Sequence, residues 1–307
     1  VEHLYTNKIK SNFWTKAFHK LGIPKDFDRI NQRVEKANAK YKPDIIFIVK
    51  GNSIYPWTLK RLKKTNPNGK VVSFSNDNMS LWHNKSLYYH LGLNYYDLVV
   101  SINIEAYKDI EDVFEGKVLY LDKSFSTRYH YTEELDKAIS VVFIGSYEKE
   151  RYEDLQFLAN HGVKIEVFGN MWDKVENDKI SKNLKIHFDD VVADDYRKTI
   201  CSSKIILGFL RKVNSDTQTS RTFEIPACGG FMLMERTENQ QRLFEEGKEA
   251  EYFASKEELL SKIKHYLAHP EERERIAKRG RARCESSAYS YSERADTILL
   301  EIDSLPK

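Results

Sequence analysis

Residues 216–236 read DTQTSRTFEIPACGGFMLMER, and this run gathers the side chains best suited to hold an anionic, hydroxylated ligand. A hydroxyl-rich loop (Thr217, Gln218, Thr219, Ser220) leads into a short helix, and two glycines, Gly229 and Gly230, precede an apolar strand. Free N–H groups at that helix start, with Arg221 beside them, suit a diphosphate. Glu224 stands one turn into the helix, where a carboxylate could accept hydrogen bonds from a ribose diol. The same residues also read as ordinary capping, with Thr219 or Ser220 as N-cap and Glu224 near the positive helix end. Local chemistry leaves both readings open.

The elements that must position this segment follow from the apolar patterning. Short β-rich runs at 44–49, 71–75, 98–102 and 118–121 alternate with amphipathic stretches at 6–21, 28–41, 56–64, 81–91 and 104–113. After a polar stretch at 123–137, which reads as a linker, a second series of strands runs at 140–144, 164–168, 184–187, 205–209 and 231–234. Helices are predicted near 150–160, 193–201, 222–227 and 257–267, followed by two further helices with no strand after them. This is the pattern of parallel sheets covered by helices, so the fold class is α/β with two doubly wound domains. The predicted boundaries are 1–124 for the first domain, 138–287 for the second, and 288–307 for a final helix crossing back to the first. In such sheets ligands sit beyond the carboxyl ends of the strands, which is where chemistry should be sought.

Composition narrows the function classes. The 307 residues carry a net charge of +3, too balanced for a dedicated nucleic-acid binder. The longest apolar runs fall far short of the roughly 20 residues needed to cross a bilayer. Three cysteines, without CxxC or Cys/His spacing, support neither a disulfide framework nor a zinc site. The chain opens on Val1, with no basic and apolar leader after it, which reads as a trimmed N-terminus in a cytoplasmic protein. No GxGxxG or Walker pattern occurs, which disfavours a dinucleotide dehydrogenase or a P-loop NTPase.

The 216–236 segment, the LFEEGKEAEYF that follows it, the helix SKEELLSKIKHYLAHPEERERIAKRG and a final Tyr-containing helix resemble the CgeB-like spore maturation group of glycosyltransferases. The resemblance runs from about residue 143 to 302. It implies a GT-B architecture, two Rossmann-like domains facing a cleft, with a nucleotide-sugar held mainly by the second. In related retaining enzymes two glutamates stand with seven residues between them; Glu224 matches the second, and the first position is Asp216, where a shorter side chain would lie near the donor sugar. The resemblance further implies a phosphate-facing loop at Gly145, Ser146, Lys149 and Arg151. Phe168, Gly169 and the loop containing Val191 would flank the base, and Arg211 and Lys212 would offset charge on the departing diphosphate. Lys149 and Arg151 read equally as solvated helix charges, Arg211 and Lys212 as a solvated loop, and Phe168 as a strand-end aromatic closing a core.

The first domain should bring the acceptor. Asp77 and His83 follow the strand at 71–75 and are the candidates to receive the acceptor proton, although Asp77 also reads as a cap for a helix at 81. Tyr88, Tyr89, Tyr95 and Tyr96 are candidates for an acceptor platform or for core packing. Helix 271–283 holds six Arg/Lys against three Glu, a basic bias that suits either a solvated face or an anionic membrane surface, here the inner face. The adjacent pairs Asp189, Asp190 and Asp194, Asp195 read as solvated or capping, so no metal is expected. Together with these residues, the resemblance implies metal-independent transfer of a sugar, retaining at its anomeric carbon, from a nucleotide-diphosphate donor, with a UDP-sugar favoured. The acceptor would be a glycan, a lipid-linked sugar or a protein. A non-catalytic nucleotide-sugar or glycan-binding protein, or a nucleotide-sugar epimerase, would share the same fold.

Overall fold

The computed structural model describes residues 3, 4, 18, 21–79, 81, 84, 86–175 and 180–306. The chain divides into two compact units. Unit 1 comprises residues 1–122, 212–215 and 297–307, and unit 2 comprises 123–211 and 216–296. The helix expected at 6–21 falls almost wholly outside the described residues.

Unit 1 is built on four parallel strands, β1 (Ile45–Val49), β2 (Lys70–Ser75), β3 (Leu98–Ser101) and β4 (Lys117–Tyr120), in that order across the sheet. Register is regular: Ile46 lies opposite Val71, Val72 opposite Leu98, and Leu98 opposite Lys117. The central β3, LVVS, is buried along its whole length, as a parallel strand covered on both faces must be. Helices α1 (Ile30–Tyr41), α2 (Pro56–Thr65), α3 (Leu87–Gly92) and α4 (Ile104–Glu111) accompany it. Leu59, Leu62, Tyr89, Val99 and Ile110 form one core layer. Val72, Leu98, Val100 and Leu121 form another, covered by Ile298 and Ile302 from the end of the last helix. That helix packing is the expected return of the chain's end to the first sheet. Helix α2 starts with proline, whose missing N–H costs nothing in the first turn. Helix α3 starts at Leu87 instead of 81, because Ser86 intervenes as N-cap, its Oγ accepting from the Tyr89 N–H (3.4 Å) and donating to the Asn52 carbonyl (2.6 Å).

Unit 2 carries six parallel strands: β5 (Ile139–Ile144), β6 (Ile165–Phe168), β7 (Leu184–His187), β8 (Ser203–Gly208), β9 (Met232–Glu235) and β10 (Glu251–Phe253). Their order is β10-β9-β8-β5-β6-β7. The chain therefore winds outward from β5 through β6 and β7, then restarts on the other side at β8. This reversal opens a crevice at the carboxyl ends of β5 and β8, the place where such sheets bind ligands. Helices α5 (Lys149–Asn160), α6 (Ala193–Cys201), α7 (Arg221–Ala227), α8 (Glu238–Leu243), α9 (Lys256–Ala268) and α10 (Pro270–Ser286) cover the sheet, and α11 (Tyr291–Asp303) ends the chain.

Two of these elements, β10 and α8, are absent from the sequence pattern. The far end of the sheet is held by Arg236, whose guanidinium meets Glu246 (2.6 Å) and Glu258 (2.5 Å), while Lys262 meets Glu246 (3.0 Å). The Arg236 bonds hold both carboxyls well below the usual range, to about 2. The sequence also places a linker at 123–137, but this stretch is part of unit 2. Phe125 is buried, donates its N–H to the Tyr289 carbonyl (3.2 Å) and accepts from the Tyr291 N–H (2.9 Å).

Candidate active site

At the carboxyl end of β5, Gly145 donates its N–H to the Phe168 carbonyl (2.8 Å), and its own carbonyl accepts from the Trp172 indole (2.8 Å). Gly169 has φ +139°, and a Cβ there would lie 2.3 Å from the Gly145 oxygen. The two glycines therefore let the loops after β5 and β6 meet backbone to backbone. The Gly145 amide is spent on that contact and is not open to a phosphate. Lys149 is 81% exposed and lies 3.8 Å from Glu153, one turn along α5, so it is a solvated helix charge. Arg151 behaves differently. Its guanidinium is mostly buried and donates to the carbonyls of Ser146 (3.2 Å) and Leu210 (3.2 Å), tying the β5 loop to the β8 loop. Its Nε has no hydrogen-bond partner, and burial pulls its pKa below the ordinary guanidinium value, with Arg221 and Arg211 adding to the depression. Three guanidiniums thus act on one another at the switch point.

The helix-start residues are not simple caps. Ser220 has helical dihedrals and makes no side-chain cap bond, while the Thr219 N–H donates to the Thr222 hydroxyl (3.1 Å). The Thr219 hydroxyl and the Arg221 Nε are both buried with no hydrogen-bond partner. The Thr222 hydroxyl donates to the buried Gln240 (2.9 Å), whose amide donates to the Glu235 carbonyl (2.6 Å). The preceding loop is pinned by Thr237, donating to the Thr217 carbonyl (2.8 Å), and by Asn239, donating to the Thr217 hydroxyl (3.0 Å). Buried polar atoms without a protein partner can take one from outside the chain, and other such atoms lie elsewhere, among them Asn52 Oδ1, Tyr96 Oη and Arg281 Nη1.

Glu224 faces inward. Its Oε2 accepts from the Tyr196 hydroxyl (2.7 Å), and its Oε1 lies 3.9 Å from Nε2 of His130. The Ser126 N–H donates to His130 Nδ1 (3.0 Å), so the neutral ring carries its proton on Nε2, toward the carboxylate. Burial holds the His130 pKa below the ordinary imidazole value, with the Glu224 charge opposing. Burial, reinforced by Glu224, raises the Tyr196 phenol well above its usual value. Glu224 therefore has one oxygen fixed by a phenol and one that lies 3.9 Å from a ring N–H donor. His130 and Tyr196 were not singled out by the sequence; 130 lay in the supposed linker and Tyr196 on a helix read only for its amphipathicity.

Asp216 is also largely buried and pairs with Lys123 (3.7 Å), which the sequence did not suggest. Arg211 is 64% exposed and reaches Glu148 (3.7 Å) instead, and Lys212 is exposed within the 212–215 segment assigned to unit 1. Phe168 stacks on His187 at 4.1 Å and 8° and, with Val191, packs against the unit 2 core. Asp194 pairs with Arg197 (3.3 Å) in the first turn of α6. Along α10, Arg273 is buried on the Tyr266 carbonyl (2.6 Å), Arg281 pairs with Glu285 (2.8 Å) and Arg283 bonds the Leu243 carbonyl (3.2 Å), leaving Arg275, Lys278 and Arg279 exposed.

In unit 1, Asp77 caps no helix, since none starts at 81; it pairs with Lys50, which follows β1. His83 lies outside the described residues. Tyr89 and Tyr96 are core side chains, whereas Tyr88 packs beside Tyr55 and Trp57. Asn103 caps α4 and also donates to the Asn214 carbonyl (3.3 Å), and the Asn214 side chain accepts from Asn84 (3.2 Å) and from the Asn78 N–H (3.4 Å).

Residues 151–300 match a family model described as glycosyl transferase-like. No curated protein matches the chain. Among solved structures, sucrose-phosphate synthase from Thermosynechococcus elongatus is similar at a TM-score of 0.65 and 11% identity, over 90% of this chain and 77% of that one. HepE from Anabaena, in complex with UDP-glucose, is similar at 0.64 and 12%, over 96% and 90%. A glycosyltransferase from Rickettsia africae is similar at 0.66 and 12%, over 98% and 85%. At these identities the likeness establishes the fold, which is GT-B. With the family match over its carboxyl half, the chain is a glycosyltransferase by class.

Proposed function

We propose that the chain moves a sugar from a UDP-sugar to a hydroxyl acceptor with retention of anomeric configuration. The observation that carries this reading is the corner formed by Thr219, Arg221 and Glu224: two buried polar atoms without partners and one carboxylate oxygen with no hydrogen bond shorter than its 3.9 Å approach to His130. The diphosphate would take the Thr219 hydroxyl and the Arg221 guanidinium, and the ribose diol would donate to Glu224 Oε1. The choice of UDP is supported by HepE, whose structures hold UDP and UDP-glucose, and by TarM, solved with UDP. The narrower kinship with the CgeB-like group rests on residues 143–302.

In this reading the bond from the anomeric carbon to the diphosphate oxygen breaks and negative charge grows on the departing diphosphate. Arg221, with Arg151 and Arg211 behind it, offsets that charge, so no metal ion is needed. The buried Asp216 carboxylate stands near the sugar and offsets positive charge at the anomeric carbon. The acceptor hydroxyl bonds to that carbon from the face the diphosphate leaves, and its proton passes to the diphosphate oxygen.

The test is a calorimetric panel of UDP, GDP, dTDP and CMP, followed by UDP release from UDP-sugars with and without oligosaccharide acceptors. Selective UDP binding with acceptor-dependent release is expected. Release that proceeds equally without acceptor would favour hydrolysis or epimerisation, and binding without turnover would favour a non-catalytic binding protein.

A further inference from the structure

We propose that unit 1 carries a glycan-docking subsite where α1 and α2 begin, with Trp57 as its platform. Trp57 sits in the first turn of α2 and is 49% exposed, unusual for the largest apolar side chain. The Tyr55 ring lies 4.6 Å from it at 31°, stacked against one of its faces, and Tyr88 meets both rings edge-on at 74° and 78°. Beside the platform is a cavity of about 270 Å³, lined by Tyr55, Trp57, Arg29, Gln32, Glu35 and Arg61.

The platform is fixed before any ligand arrives. The Tyr55 N–H donates to Oδ1 of the buried Asn31 (2.9 Å), and the Tyr55 hydroxyl accepts from the Asp26 N–H (3.2 Å). Asn31 in turn donates to Asp26 (2.7 Å) and to the Ser53 carbonyl (2.9 Å). Arg61 is oriented by Glu35, which accepts from its Nε (2.9 Å) and Nη2 (2.5 Å). Ordering costs that weaken surface binding are thereby met within the fold.

Three features select a carbohydrate. The aromatic surface is one-sided, because Tyr55 stacks on one face of Trp57 and the third ring meets it edge-on; this suits the C–H face of a pyranose and not a base held between two parallel rings. The rim consists of planar donors and acceptors, the groups that pair with vicinal hydroxyls. Two guanidiniums, Arg29 and Arg61, balance two carboxylates, Asp26 and Glu35, so a phosphate gains no net attraction. The cavity is below the size of a drug-sized pocket and fits one or two sugar rings. The loop that ends at Tyr55, the N-cap of α2, leaves the carboxyl end of the edge strand β1, the ligand end of the sheet. The subsite would engage part of an extended acceptor glycan; that use rests on the proposed transfer, whereas binding itself does not.

The experiment titrates the trimers of glucose, mannose, galactose and N-acetylglucosamine into the full chain, by saturation-transfer NMR and calorimetry, with UDP titrated separately. Millimolar binding of at least one trimer is expected, weakened at least tenfold in Trp57→Ala and partly restored in Trp57→Phe, with UDP affinity and melting temperature unchanged. Absence of binding by all four trimers, or binding that Trp57→Ala leaves intact, overturns the subsite. Loss of UDP binding in the wild type would strike the transfer reading and leave the docking result to stand or fall alone.

Discussion

The carboxyl ends of the two sheets carry polar side chains of different kinds. In unit 2 they are charged and largely buried: Glu224 accepts from the Tyr196 phenol and lies 3.9 Å from His130 Nε2, and the Thr219 hydroxyl and Arg221 Nε have no bond. In unit 1 a cluster of asparagines closes on itself: Asn103 caps α4 and donates to Asn214, and the Asn84 amide and the Asn78 N–H reach the same residue, while Asn52 Oδ1 after β1 stays without a partner and Asp77 pairs with Lys50. Burying polar atoms costs free energy that only hydrogen bonds return. The asparagine cluster of unit 1 recovers that cost within the chain, whereas the Thr219 hydroxyl and Arg221 Nε of unit 2 leave it unrecovered.

Substitutions can break that contrast, starting with the largest effect. Glu224→Ala should weaken UDP binding by about 1–3 kcal/mol, because a charge-assisted hydrogen bond to the ribose is lost; calorimetry checks it. Asn103→Ala in unit 1 should instead cost about 0.5–2 kcal/mol of stability, seen as a lower denaturation midpoint, with UDP affinity unchanged. Tyr196→Phe removes the phenol that orients Glu224 and should weaken UDP by about 0.5–1.5 kcal/mol while the fold survives. If Asn103→Ala lowers UDP affinity more than Glu224→Ala does, the contrast fails.

A pH scan sharpens it further. The His130 pKa is lowered in the folded chain, so on acidification the unfolded chain takes the proton first, and stability falls as pH drops below about 6.5. His130→Asn, which keeps an acceptor for the Ser126 N–H, should flatten that part of the stability profile. The smallest effect belongs to Lys149→Ala, which should change stability and UDP binding by no more than about 0.5 kcal/mol, since its charge is solvated.

Much of this was legible in the sequence, for physical reasons. Strands such as β3 and β8 are apolar runs bounded by polar residues, and burial on both faces demands such runs. Strand β10 escaped because it is three residues long and starts with Glu251, buried only because Lys262 (2.5 Å) and the Tyr266 hydroxyl (2.7 Å) meet it. Glu224 and Arg221 stand out as candidates from a loop, a helix start and two glycines close together in the chain. Lys123, His130 and Tyr196 could not, since their partners are distant in sequence and no local period marks them. The Gly145 amide and Lys149 illustrate the reverse error. Their positions suggested an anion site, but the fold commits one to the Phe168 carbonyl and the other to solvent.

The most direct measurement is isothermal titration of UDP into the wild type and into Glu224→Ala, each shown to be folded by its melting transition. The wild type should bind UDP, and the variant should bind it with clearly lower affinity. Equal affinity in the two proteins, or no UDP binding by a folded wild type, would contradict the assignment of the Thr219, Arg221 and Glu224 corner as the donor site.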